Sequence, residues 1–118
     1  MARDPAHAGD LKERVTFWAP SLDANGDLLG PFKPLFDARA RIESNPGPMR
    51  VQAMRLEGES AICVTVRASL RTRRLQSNWR LLWHLPERTY VIHGTPVLDE
   101  RRAWIVIWAT AYAGGPGG

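Results

Sequence analysis

Apolar and polar residues alternate with a period of two along most of the chain, the spacing of strands that bury one face. From Glu13 to Ala19, Val15, Phe17 and Ala19 fall on one side and Arg14, Thr16 and Trp18 on the other. From Leu35 to Ile42 the inward set is Phe36, Ala38, Ala40 and Ile42, against Asp37, Arg39 and Arg41. From Ala61 to Arg67, β-branched Ile62, Val64 and Val66 alternate with Cys63, Thr65 and Arg67. Between the first two runs, Asp23-Ala24-Asn25-Gly26-Asp27 signals a tight turn, because Asn-Gly tolerates positive φ. Pro31 and Pro34 lack an N–H and are expected to break regular pairing ahead of the second strand.

The second half continues in short pieces. Ser69 to Asn78 is a polar, Arg-rich connection, and Trp79 to Leu85 is apolar apart from Arg80 and His84. Pro86-Glu87-Arg88 turns the chain into a strand at Thr89 to His93. Gly94-Thr95-Pro96 interrupts that strand, Val97-Leu98 resumes it, and Asp99 to Arg102 forms a charged hairpin tip before a last strand, Ala103 to Tyr112. One stretch has another period. Met49 to Glu57, opened by Pro48 and stopped by Gly58, reads as a short helix with Val51, Met54 and Leu56 on one side. A helix so short needs something to pack on. The elements predict a mainly-β fold, a small β-barrel of about six strands with one short helix in a long loop. The organisation is a flexible arm over 1–12, a single domain over 13–112 and a flexible Gly-Pro tail over 113–118.

The last strand is apolar on both faces, with Trp104, Val106, Trp108 and Tyr112 on one and Ile105, Ile107, Ala109 and Ala111 on the other. In a small barrel one face fills the interior, and two wet tryptophans on the other would form a patch that monomers seldom expose. Either the helix lies across that face or a subunit does. Trp79 and Trp83 raise the same question, so Trp79, Trp83, Trp104 and Trp108 are the candidate interface residues.

The whole chain has 118 residues and a mass of 13.2 kDa, enough for one domain with its own core. With 44% apolar and 24% charged residues it is neither disordered nor a coiled coil. No apolar run approaches the ~20 residues of a membrane span. Met1-Ala2-Arg3-Asp4-Pro5 is too polar for a signal peptide, so a soluble intracellular protein is expected. Cys63, the single cysteine, is expected to be an inert packing residue. His7, His84 and His93 are not spaced as a metal set, and no phosphate loop, nucleophile elbow or carboxylate pair stands out. No catalytic, cofactor or metal residue is therefore assigned, and the chain reads as a non-enzyme.

Charge sharpens this picture. Residues 1–59 carry eight basic and nine acidic side chains, whereas residues 60–118 carry eight basic and three acidic ones. Ser60 to Pro86 holds no acid but does hold Arg67, Arg71, Arg73, Arg74 and Arg80. Arg presents a planar fork of donors suited to phosphate. Such a run is either a solvated basic face or a surface that meets a polyanion, most plausibly nucleic acid.

The order of segments resembles the phage head–tail joining proteins, also called head-closure or stopper proteins, from about Leu11 to Ala111. Leu11-Lys12-Glu13-Arg14-Val15-Thr16-Phe17 is similar to that family's first strand, and Phe36-Asp37-Ala38-Arg39-Ala40-Arg41-Ile42 to its second. Asn78-Trp79-Arg80-Leu81-Leu82, then Glu87 to Ile92, then Leu98-Asp99-Glu100-Arg101-Arg102 and a final apolar strand follow the family's run in order and spacing. Two tryptophans in the last strand, where the family more often has Leu, and the Pro-rich Ser44 to Pro48 depart from it.

The resemblance implies a component of a tailed phage, prophage or gene transfer agent, made in the bacterial cytoplasm. It implies a homo-oligomeric ring below the portal and adaptor proteins that closes the filled head and receives tail-terminator or tail-tube proteins. Either Ser44 to Gly58 or the connection Ser69 to Asn78 is expected to line the lumen; Arg71, Arg73 and Arg74 on the latter would face packaged double-stranded DNA without reading bases, and no membrane is involved. Two alternatives remain open at this point. One is an OB-like barrel that binds single-stranded nucleic acid by Trp stacking; the other is a different connector or tail-terminator ring.

Overall fold

A computed structural model describes residues 11–22, 24–44, 61–85, 87–99 and 101–117. Among these residues six antiparallel strands run β1 (Glu13–Leu22), β2 (Leu28–Glu43), β3 (Ala61–Arg67), β4 (Arg80–His84), β5 (Glu87–Leu98) and β6 (Trp104–Ala111), with one 3-10 turn at Thr72–Arg74. They close into a barrel in the order β1-β2-β3-β6-β5-β4. The mainly-β barrel expected from the alternation is thus the observed fold. The helix expected at Met49 to Glu57 lies outside the described residues.

Inward positions match the period-two reading. Val15, Phe17, Ala40, Val64, Val66, Leu81, Ile92, Ile107 and Ala109 have no exposed surface, and Ile62, Tyr90 and Ile105 very little. Phe36, Ala38, Ile42, Trp79 and Trp83 pack against this core from its margins. Phe17 and Phe36, directly paired across β1 and β2, place their ring centroids 5.2 Å apart in a tilted arrangement.

Closure is made where Val15 to Trp18 of β1 pair with Trp83 to Arg80 of β4. A polar chain on the outer surface ties the same seam. Arg14 Nη2 donates to Asp37 Oδ2 at 2.8 Å, and the Thr16 hydroxyl donates to Asp37 Oδ1 at 2.6 Å. That hydroxyl has one hydrogen, so the 2.7 Å contact with His84 is a donation from the imidazole Nε2–H to Thr16. Asp37, Thr16 and His84 thereby join β2, β1 and β4. The Thr16 hydroxyl first, and Arg14 next, hold the Asp37 carboxyl below its ordinary value.

One expectation fails. Pro31 and Pro34 do not end the pairing: β2 begins at Leu28 and runs through both. Trp18 pairs with Pro34, Ala19 with Lys33 and Pro20 with Phe32, with register shifts between Phe17 and Trp18 and again between Pro20 and Leu22. The shifts are bulges that accommodate residues unable to complete a regular ladder. Of β2, only Ala40 to Glu43 pair with β3, so among the described residues the prolines lie on a part of β2 whose one strand neighbour is β1. The expected interruption in β5 is a bulge as well, with Gly94 at φ +67 between His93 and Val97.

Asp99 anchors the hairpin from β5 to β6. Asp99 Oδ1 accepts from the N–H groups of Ala103 (2.8 Å) and Trp104 (3.1 Å), while Arg102 adopts a left-handed φ of 55°.

Ile107→Ala should destabilise the chain by ~2–5 kcal/mol in chemical denaturation, and Val106→Ala, on the outer face, by far less; equal losses would contradict the facing of β6. Asp37 stabilises the fold when ionised, an effect complete above the ordinary carboxylate range and lost as pH falls through its lowered value. Denaturation curves of wild type and Asp37→Asn should therefore differ at neutral pH and converge in acid.

Candidate functional site

The loop from β3 to β4 is braced at its start. Thr72, buried, donates its hydroxyl to the Arg67 carbonyl at 2.8 Å and accepts from the Ser69 N–H at 2.8 Å. Ser69 Oγ in turn accepts from the Thr72 N–H at 3.1 Å. Leu75, at 5% exposure, joins the core cluster. With one polar and one apolar anchor, Arg71, Arg73 and Arg74 have only outward directions left, and all three are exposed.

The structure brings these three together with residues that the sequence does not place beside them. The Ala68 N–H donates to the Ala103 carbonyl at 2.8 Å, which sets the loop against the β5–β6 hairpin. Exposed Arg101 and Arg102 of that hairpin therefore share one end of the barrel with Arg67, Arg71, Arg73 and Arg74. Asp99, at the same end, has its carboxylate turned to backbone N–H groups. Arg71 and Arg74 also line, with Leu35 and Phe36, a cavity of about 230 Å³. Leu70, 87% exposed, stands beside Arg71. The only sequence signal for Arg101 and Arg102 was the charge of a hairpin tip; their nearness to the loop is a tertiary fact.

The four tryptophans separate into two pairs. Trp83 donates its indole N–H to Glu13 Oε1 at 3.0 Å and lies 6.4 Å from the Tyr90 ring. Trp79 packs on the core and its backbone is fixed by exchange with Gln76 and Ile92. Trp104 and Trp108 are on the outer face of β6. Trp104 keeps 9% of its exposure and has the Arg67 guanidinium 5.6 Å above its ring. Trp108, half-buried, stands between Cys63 of β3 and His93 of β5. His93 Nε2 contacts the Thr110 hydroxyl at 2.6 Å. Cys63 is buried. Among the described residues no group of His, Cys, Asp and Glu side chains is gathered to hold a metal ion.

A protein-family model described as phage head completion protein matches residues 6–111. The chain belongs to the phage head completion family. As a member, the chain is a virion structural component of the phage head, in a family whose members meet other head and tail proteins. Its fold is shared by the solution structure of protein SF1141 from Shigella flexneri 2a. That likeness has a TM-score of 0.70 at 17% identity and covers 93% of this chain and 100% of that one. No curated protein matches this chain at a significant level.

Thr72→Val should cost ~1–3 kcal/mol, since the Ser69 N–H loses its buried acceptor. Amide exchange should then accelerate over 68–75 while β1 and β4 stay protected; uniform acceleration would mean that Thr72 braces the whole barrel rather than this loop.

Proposed function

We propose that the chain forms a homo-oligomeric ring that closes the DNA-filled head below the portal and adaptor proteins and offers a docking surface to tail-terminator or tail-tube proteins. The observation that carries this reading is the arginine end: Arg71, Arg73 and Arg74 on a braced loop, beside Arg67, Arg101 and Arg102, in a member of a head completion family. A ring that retains packaged DNA needs cations on rigid supports facing its lumen, with no base readout. Loop arginines anchored by Thr72 and Leu75 suit that task.

Lateral contacts between copies call for apolar outer surface. Trp108 and Val106 supply it on β6, with Trp104 beneath Arg67 at the margin. Trp79 and Trp83 pack against the core, Trp83 with its indole N–H on Glu13. An OB-like stacking function is disfavoured, because it needs aromatic faces on display, and these two rings pack inward.

Replacing Arg71, Arg73 and Arg74 together by Ala should leave assembly intact while filled heads lose their DNA. In solution the log–log salt slope of duplex binding should fall by about 3. Unchanged retention in intact particles would remove the three from the lumen. Deleting the gene should give tailless heads beside free tails, and normal tailed particles would sink the ring reading.

A further inference from the structure

Beyond β6 the chain stays on the barrel. The Tyr112 N–H donates to the Thr89 carbonyl at 2.9 Å, and the following residues cross the outer surface from β5 over β4 to β1 and β2. Their seat is built around Arg80. Its guanidinium lies 3.9 Å from the Phe32 ring centroid and 4.4 Å from that of Tyr112, and its Nη1 donates to the Pro116 carbonyl at 3.3 Å. Gly117 rests on Trp18, where an added Cβ would stand 3.5 Å from the indole ring. Two glycines shape the approach. A Cβ on Gly114 would meet the Tyr112 ring at 2.7 Å, and Gly115 holds φ +77.

These contacts describe an aromatic trough with a guanidinium at its centre, holding an uncharged backbone rich in Gly and Pro. Cation–π contacts orient the Arg, which then presents its donors to a peptide carbonyl. The tail fills the trough incompletely. Among the described residues, Trp18 Nε1 is buried with no hydrogen-bond partner. Between the tail and strands β4 and β5 there is also a cavity of about 520 Å³, bordered by Leu82, Arg88, Thr89, Tyr112 and Pro116 among others. A buried donor without an acceptor is unfavourable, so the tail is held less firmly here than in a fully satisfied seat, and it can leave.

We propose that Trp18, Phe32, Arg80 and Tyr112 form a binding site for an extended, uncharged Gly-Pro peptide, held in cis by Ala113–Gly117, and that the same tail from a second copy exchanges into it. The tail is the ligand chemistry the trough is seen to accept, and every copy carries it. The biological setting rests on the ring reading, but the trough does not.

The test uses two full-length chains with complementary defects. Gly115→Ala strains the tail and leaves the trough intact; Arg80→Ala breaks the trough and leaves the tail intact. In wild type, NMR should show ordered amides at Gly115 and Gly117, and each substitution should speed Gly117 exchange by about tenfold or more, the equivalent of one cation–π contact. The Trp18 indole signal of labelled Gly115→Ala protein should shift on adding unlabelled Arg80→Ala protein, which donates its tail. Tail amides as mobile in wild type as in the variants would overturn the site. Ordered wild-type amides with no shift on mixing would overturn the exchange. A failed ring reading would appear instead as normal tailed particles after gene deletion, with these spectra unaffected.

Discussion

Closure of the sheet between β1 and β4 governs the rest of this structure. Pairing Val15–Trp18 with Trp83–Arg80 removes the two edges that a six-stranded sheet would otherwise present. It also makes the inner face a dry interior that only apolar side chains can occupy. The strand order then dictates a crossing. β3 and β4 are consecutive in the chain but not neighbours in the ring, so the segment joining them must pass over one end of the barrel. Leu75 enters the core from that segment, and the arginines around it are left facing outward. The cationic end is a consequence of topology before it is a matter of charge.

The same closure explains where irregularity collects. Beyond Trp18, β1 has no β4 partner, and β2 has no β3 partner before Ala40. The two continue as a ribbon, and it is there that register shifts and both β2 prolines occur. Prolines on an edge withhold donors from stray strands, a common protection for exposed ladders. The molecule is elongated, with extents of 48 × 33 × 26 Å.

Several outer-face residues serve neighbouring elements as much as their own. Thr16 passes a proton-donor chain from His84 to Asp37 across the seam, and Arg80 gathers Phe32, Tyr112 and the Pro116 carbonyl onto β4. Such contacts depend on which strands are adjacent. The fold itself tolerates wide substitution, being shared with SF1141 at 17% identity, because a period of two and turn residues in the right places constrain far less than specific side chains do.

The inward sets on β1, β2, β3 and β6 were legible in the sequence, since alternation is a local property that backbone pleating converts directly into facing. The turn at Asn25-Gly26, the hairpin tip at Asp99 to Arg102 and the break at Gly94 were legible for the same reason: each requires a backbone conformation that few residues adopt. The cluster of Arg71, Arg73 and Arg74 was visible as a run, but its union with Arg101 and Arg102 was not. Nor did the sequence show that Pro31 and Pro34 lie within a strand, because whether a missing N–H matters depends on the presence of a neighbour on that side. Trp79 and Trp83 differ from Trp104 and Trp108 only in which face of the closed wall they occupy. Sequence by itself determined what each strand would bury; the tertiary structure decided which strands would meet, because pairing joins residues tens of positions apart that share no local signal.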